Sequence, residues 1–366
     1  MSRCSVIRIM FWVAAAGSIA ARSPAQEPLA AARRLAGATP GSGHAELAAL
    51  ADRLAALDPG ELAGVLAAFA DATPAGANWL RSGLDRAVER LGDAVPADHL
   101  AAFATDRGLP PRSRVLAYGW LEARDAARAA SLVDSMLDEP ALDLRRLAVT
   151  KLLTDAATAD QQARIDVHRR ALEAARDVDQ VEAIATWLGA NGVPTEIADV
   201  LGFVRRWRVS AAFDNAGGAG FAKAYDPETA DVPSDIAAWR PVASTDKHGE
   251  VDLNSAVAAR KGVLAYAAAE VEVGAAGRAE VRVGSPCAIV VWINGRRVME
   301  HEIYHASEAI DQYVAPADFR AGSNMVLVKC CQNEQTESWA GDWKFQLRIT
   351  DPLGKPVATQ TAESVP

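Results

Sequence analysis

Met325-Val326-Leu327-Val328-Lys329-Cys330-Cys331 is followed by Gln332-Asn333-Glu334-Gln335-Thr336, Trp339 and Trp343, and then by Phe345-Gln346-Leu347-Arg348-Ile349-Thr350. The first and last pieces are β-branched and aromatic-rich runs of strand length, and the middle is polar with turn-forming residues. Two strands joined by a long loop is the reading. Strand side chains alternate between faces, so Val326, Val328 and Cys330 share one side and Leu327, Lys329 and Cys331 the other. Phe345, Leu347 and Ile349 mark the buried side of the closing strand.

Working back from this stretch, similar runs occupy Phe203 to Val209, Ala238 to Val242, Glu250 to Leu253, Val263 to Val273, Ala279 to Val283, Ala288 to Ile293 and Arg297 to His301. Asn294-Gly295 between two of them is a type I′ hairpin signal, because both central residues of that turn need positive φ. About nine short strands with turn residues between them imply an antiparallel β-sandwich of jelly-roll type over residues 203–357.

Residues 28–200 follow a different period. Leu47, Leu50, Leu54 and Leu57 recur at helical spacing, as do Leu62, Val65, Leu66 and Phe69, and then Trp79, Leu80, Leu84, Val88 and Leu91. Pro96, Pro110-Pro111, Pro140 and Pro194 punctuate the series. Helices also follow from Arg164 to Arg176 and from Val181 to Leu188. The clearest unit runs from Pro111 to Ala157, where Asp138-Glu139-Pro140 precedes Leu144-Arg145-Arg146-Leu147-Ala148-Val149. This unit resembles the helix pair of HEAT repeats, in which stacked pairs bury what one pair cannot. A generic antiparallel helical bundle is the alternative. The expected fold is therefore α+β in two domains, all-α first and β-sandwich second, with residues 358–366 a flexible tail.

The chain has 366 residues, half of them hydrophobic, with a net charge of −9. That balance disfavours nucleic acid and anionic membrane surfaces as partners, since both demand basic patches. Arg3 and Arg8 precede an apolar run from Ile9 to Ala21, too short to span a bilayer comfortably, and Ser23-Pro24-Ala25 offers small residues for cleavage. Residues 1–25 read as a signal peptide, and the mature chain is expected to be exported, without a membrane span. An uncleaved anchor is the alternative. Cys287, Cys330 and Cys331 would then meet an oxidising compartment. Cys287 could bridge to one of the adjacent pair, or all three could stay as buried thiols.

His301-Glu302-Ile303-Tyr304-His305 matches H-E-x-x-H, which holds zinc when a helix sets both histidines on one face. Here the motif follows a hairpin strand. On a strand residues 301 and 305 lie about 13 Å apart, too far to share a metal. A helix from Glu300 through Ile310 would rescue it, so a zinc-dependent hydrolase using His301, Glu302 and His305 is the alternative function. Phe213-Asp214-Asn215-Ala216-Gly217-Gly218-Ala219-Gly220 leads into a loop rather than a helix, which removes the phosphate-cradle reading. There is no Gly-x-Ser-x-Gly elbow. His99 and His168 stand alone and are expected at the surface.

One resemblance joins these pieces. Phe213-Asp214-Asn215, Tyr225-Asp226-Pro227-Glu228, Val291-Trp292-Ile293-Asn294-Gly295, Tyr304-His305, Asp311-Gln312-Tyr313 and Gln332-Asn333-Glu334 with Trp339 and Trp343 resemble a group of uncharacterised exported bacterial proteins. In that group a HEAT-like helical region precedes a galactose-binding-like jelly roll. The resemblance covers residues 178–357 well and implies a ligand-binding fold without an established activity. It departs at Ala211-Ala212, where the group has Gly-Pro. The expected function is non-catalytic binding and scaffolding, with the sandwich taking carbohydrate or protein and the helices making protein contacts. The candidate ligand residues are Trp339, Asn333, Glu334, Asp214 and Asn215. Trp292 and Trp343, being in strands, are expected to pack in the core. The oxygens of the last four candidates could also hold a structural calcium.

Overall fold

The structure is a computed structural model that describes residues 27–230, 233 and 235–360. The expected signal peptide lies outside the described residues. The chain divides into two compact units, one ending at Leu132 and one beginning at Val133. The change from helix to strand falls about seventy residues later, between Leu201 and Arg206. The last helices therefore belong with the sheets. No helix among the described residues is long and apolar enough to cross a membrane.

The first unit is helical: α1 (Glu27–Ala36), α2 (His44–Ala55), α3 (Leu62–Leu66), α4 (Pro74–Leu91), α5 (Ala97–Thr105), α6 (Pro111–Arg124) and, at the boundary, α7 (Ala126–Val133). Local chemistry sets the ends. Thr73 caps α4 by accepting the Gly76 N–H at 2.9 Å, and Pro74 fills the first turn, where a missing N–H does no harm. Asp58 and Glu61 form a capping box ahead of α3. Leu50, Leu54, Leu57, Leu62, Leu66, Leu80 and Leu84 are buried, which is the leucine spacing read from the sequence.

The second unit opens with α8 (Leu142–Asp155), α9 (Gln161–Ala174), α10 (Val178–Ala190) and α11 (Ile197–Leu201). Their shared core includes Val149, Ile165, Val181, Ile184, Leu188, Leu201 and Phe203. His168 is not at the surface: it is 9% exposed, stacks on Trp187 at 3.6 Å, and bonds through Nδ1 to the Arg164 carbonyl. An imidazole on a helix face can pack as an aromatic, and a lone histidine in a sequence does not announce which it will do.

Among the described residues twelve strands follow: β1 (Arg206–Val209), β2 (Phe213–Asp214), β3 (Arg240–Ala243), β4 (Val251–Asp252), β5 (Val263–Val273), β6 (Gly277–Gly284), β7 (Ala288–Ile293), β8 (Arg296–His301), β9 (Tyr313–Phe319), β10 (Gly322–Cys331), β11 (Lys344–Thr350) and β12 (Ala358–Thr359). They form two antiparallel sheets. One has the order β3-β1-β5-β10-β7-β8, with β2 and β12 also on β5; the other has the order β4-β11-β6-β9. Asn294 and Gly295 take φ of 50° and 77°, as the hairpin turn between β7 and β8 requires. Between the sheets lie Ala265, Ala267, Val271, Ile289, Val291, Val326, Val328 and Cys330 from one side, and Val281, Val283, Phe345, Leu347 and Ile349 from the other. Trp343 fills this core and Trp292 packs on the opposite face of its sheet, both buried as expected.

Two features differ from expectation, and one open alternative is decided. Residues 313–319 form a strand that the sequence pattern hides, because Pro316 interrupts it; β9 lies at the edge of its sheet, where a missing N–H is tolerated. The tail is in place through Gln360, whose side-chain amide bonds the backbone of Arg205 and Arg206 at 2.8–2.9 Å. Cys287, Cys330 and Cys331 are buried thiols with no disulfide among them.

Both sheets are covered on their outer faces. Phe221, Trp239, Tyr266, Trp292, Leu327 and Cys331 form a second core outside the first sheet, beneath the segment that joins β2 to β3. The second sheet carries Arg348 and Thr350 outward, yet both are buried. This double burial explains why β5 and β7 read as nearly continuous apolar runs rather than as alternating ones.

Candidate functional site

Four loops meet at the end of the sheets where β10 finishes and β5 begins. They span residues 214–220, 257–262, 302–312 and 332–343. Backbone and side-chain bonds knit them together. The Asn215 N–H donates to the Gly262 carbonyl at 2.9 Å, and the Gly262 N–H to the Asn333 carbonyl at 3.0 Å. The Asn215 amide donates to the Gln332 carbonyl at 3.0 Å and to the Tyr304 hydroxyl at 3.2 Å. Glu334 accepts the Gly217 N–H, and Lys261 donates to the Ala340 carbonyl at 2.6 Å. Gly220 is needed for the closeness: a Cβ there would come within 2.4 Å of the Asp214 carbonyl.

Trp339 stands out of this knot. It is 62% exposed, the most exposed large hydrophobic side chain among the described residues, in a chain whose other tryptophans at 207, 239, 292 and 343 are buried. Its ring meets His305 edge-on, with centroids 5.1 Å apart and planes at 88°. His305 is fixed in turn by a 2.8 Å bond between Nε2 and Asn333 Oδ1. Its backbone is left-handed, with φ 58°, a conformation that costs a non-glycine residue about 1 kcal/mol and persists only where neighbours hold it. Burial pushes the neighbouring Tyr304 hydroxyl above the usual tyrosine range, so it stays protonated and serves as a hydrogen-bonding group.

The expected ligand residues thus come together, in unequal roles. Trp339, Asn333 and Glu334 line the rim. Asp214 is exposed beside it, with Oδ1 accepting the Ala216 N–H at 3.2 Å. Asn215 is fully buried and holds the loops from beneath. His305 and Tyr304 belong to the rim as well; only the Tyr-His pair within the resemblance pointed to them. Ile303 is 47% exposed beside them. The carboxylates of Asp214, Glu302, Glu334 and Glu337 make no ion pair among the described residues.

The zinc reading fails on geometry. His301 ends strand β8 and stacks on Tyr313 at 3.9 Å, while His305 turns toward Asn333 and Trp339. Residues 302–310 are loop, so no helix sets the two rings on one face. Among the described residues no three His, Cys, Asp or Glu side chains are placed to hold a metal. Calcium fits no better. It needs about six to eight oxygens around one point, whereas Asp214, Asn333 and Glu334 each spend an oxygen on a different N–H and Asn215 is sealed below them.

The polar groups in the outer core of the first sheet are structural. Lys329 is buried in the outer core of the first sheet and donates to the carbonyls of Phe221 (2.8 Å) and Lys223 (2.9 Å) and to Glu228 (2.8 Å). All three of its protons are used, which leaves a pin rather than a base or nucleophile. Tyr266 also donates to Glu228, and burial pushes its hydroxyl far up. A cleft of about 370 Å³ on α8, α9 and α10 is lined by Thr150, His168, Gln180, Ile184 and Trp187.

No protein-family model matches the chain, and no curated protein does. Among solved structures it is similar to a GH31 α-xylosidase from Xanthomonas citri, at 11% identity and a TM-score of 0.20, over 40% of this chain. The likeness spans 16% of that enzyme's length.

Proposed function

We propose that this chain is an exported, non-catalytic binding and scaffold protein whose β region is a galactose-binding-like jelly roll. The strand order supports the jelly roll. An eight-stranded roll of two Greek keys places strands B-I-D-G in one sheet and C-H-E-F in the other. Lettering β4 to β11 from B to I yields β4-β11-β6-β9 and β5-β10-β7-β8, the order in which these strands neighbour one another. The signal-peptide pattern of residues 1–25 supports export. The helical region, read as HEAT-like, would supply protein contacts, and the α8–α10 cleft is the surface suited to them.

The observation that carries the binding role is Trp339, exposed and held at a set angle by His305 and Asn333. A flat aromatic face presented to solvent on a fixed mount suits a sugar ring, whose C–H faces pack on it while Asn333, Gln335 and Glu334 offer hydrogen bonds to hydroxyls. A glycan array followed by calorimetry tests this. Trp339→Ala should weaken binding about tenfold or more, the factor corresponding to roughly 1.4 kcal/mol of lost contact. An array without hits, or hits indifferent to W339A, overturns the carbohydrate reading; a protein ligand captured by the same rim in a W339A-sensitive way would replace it.

A further inference from the structure

A cleft of about 390 Å³ opens where the end of α9 faces α11 and the turn between β11 and β12. Leu172, Val200, Leu201 and Pro356 give it apolar walls, and Arg176 and Lys355 give it two positive charges. All of these residues belong to the second unit. The turn lies close to the arginine: a Cβ on Gly354 would stand 4.0 Å from Arg176 Cδ. Arg176 uses half of its guanidinium at the end of α9, where Nη1 donates to the carbonyls of Glu173 at 2.8 Å and Ala175 at 2.6 Å. The other edge, Nε with Nη2, has no acceptor among the described residues, although Nε is buried. We infer that this cleft binds an aliphatic carboxylate, with its head on the Nε–Nη2 edge of Arg176 beside Lys355 and its carbon chain on the apolar walls.

The chemistry of that edge selects the ligand. Its two N–H groups run parallel and match the two oxygens of one carboxylate, the pairing that arginine makes best. A buried donor with no acceptor also calls for one. The protein's own acids do not neutralise the two cations. Glu173 lies on the rim and Asp351 in the turn, where its Oδ1 accepts the N–H groups of Leu353 at 2.8 Å and Lys355 at 2.9 Å. Neither carboxylate forms an ion pair with Arg176 or Lys355 among the described residues. Burial, and then the neighbouring Arg145, hold the Arg176 guanidinium below its usual pKa, so an anion there would relieve an unfavourable charge. The two acids keep the net charge small, which suits a monoanion and disfavours a phosphate dianion. The apolar walls favour a ligand with a hydrocarbon body, because binding removes both surfaces from water. Two sources offer that chemistry: a free short-chain acid, and the C-terminal residue of a peptide ending in an apolar side chain.

Calorimetry on the full chain with hexanoate, N-acetyl-leucine and N-acetyl-leucinamide tests this. At least one of the two carboxylates should bind, and the uncharged amide should bind at least about tenfold more weakly. Arg176→Lys keeps the charge but loses the fork, and should weaken the carboxylate about tenfold. Lys355→Ala, in an exposed turn, should weaken it about threefold. Trp339→Ala should change nothing, which separates the cleft from the rim. Stronger binding of hexanoate assigns the cleft to free acids, and stronger binding of N-acetyl-leucine assigns it to peptide ends. No heat from either carboxylate up to about 10 mM overturns the inference, as does an amide that binds equally well. Carboxylate binding indifferent to both R176K and K355A lies elsewhere on the chain and overturns it too.

Discussion

The two outer faces of the sandwich solve one problem in different ways. Each is covered, and each cover is pinned by a buried cation projecting from a central strand. On the first sheet the cation is Lys329 of β10, with its side chain 1% exposed; on the second it is Arg348 of β11, 4% exposed. The cover over Lys329 is a segment with only short helical turns between β2 and β3, which leaves backbone carbonyls unpaired. An ammonium with three freely directed donors meets two of those carbonyls and one carboxylate. Tyr225 and Tyr266 add their ring faces at 5.7 and 5.8 Å.

What faces Arg348 is the end of a helix and the loop that carries Asp311. Arg348 donates to the carbonyl of Leu201, the last residue of α11, at 3.3 Å, where a helix leaves its carbonyls free and favours positive charge. Its planar fork takes both oxygens of Asp311, and its face lies over Phe203. Lysine matches an irregular cover; arginine matches a carboxylate and a helix end.

Removing the lysine should do the most damage. Lys329→Met strands Glu228 and two carbonyls in a dry site, and should cost about 3–5 kcal/mol in denaturant melts. A loss under about 1 kcal/mol would mean that the segment holds itself and the comparison is false. Arg348→Lys keeps the charge but loses the fork; about 2 kcal/mol is expected, because Arg282 still reaches Asp311 at 2.7 Å.

The Arg348 face should also be acid-sensitive. Burial alone would raise the Asp311 carboxyl, but Arg348 and Arg282 outweigh it and hold it below the usual carboxylate range. A depressed native pKa contributes stability that is complete above the unfolded value of about 3.9 and is lost as pH falls through the native one. Asp311→Asn should therefore lower stability near neutrality and flatten its fall below about pH 4, measured by melts across pH. An unchanged acid limb would show that other carboxylates carry it.

The helices carry a second clasp, in which Glu182 on α10 meets Lys247 at 2.8 Å and also His248. Glu182→Gln should cost only about 0.5 kcal/mol, because Lys247 is half exposed and water screens the pair. Smallest of all, Trp339→Ala should leave stability within about 0.5 kcal/mol. A larger loss would make the exposed ring a structural element and weaken the binding proposal.

Much of this was legible beforehand. Alternation in residues 325–331 assigned each side chain to the face it occupies, because a period of two admits no other assignment. The Asn-Gly turn and the leucine stripes of the helices were equally local. The burial of Lys329 was not legible. A lysine on a strand ordinarily ends in water, and the segment that encloses it lies about a hundred residues earlier in the chain. The rim was half legible: Trp339 was marked by its polar neighbours, but His305 was marked as half of a metal motif, and only its left-handed backbone and its bond to Asn333 give it another role.

The sequence by itself determined the elements and the faces of their side chains, since helix and strand periods are properties of neighbours a few bonds apart. It also placed Trp292 in a strand and Trp339 in a loop, whereas Trp343, expected in the closing strand, lies just before it. The tertiary structure decided what each face meets. Which strands neighbour one another, which cations are sealed from water and which aromatic stays in it all depend on residues brought together across long stretches of chain. The stretch from Met325 to Thr350 shows both: its alternation is local, while the partners of Lys329, Cys330, Trp339 and Arg348 come from other parts of the chain.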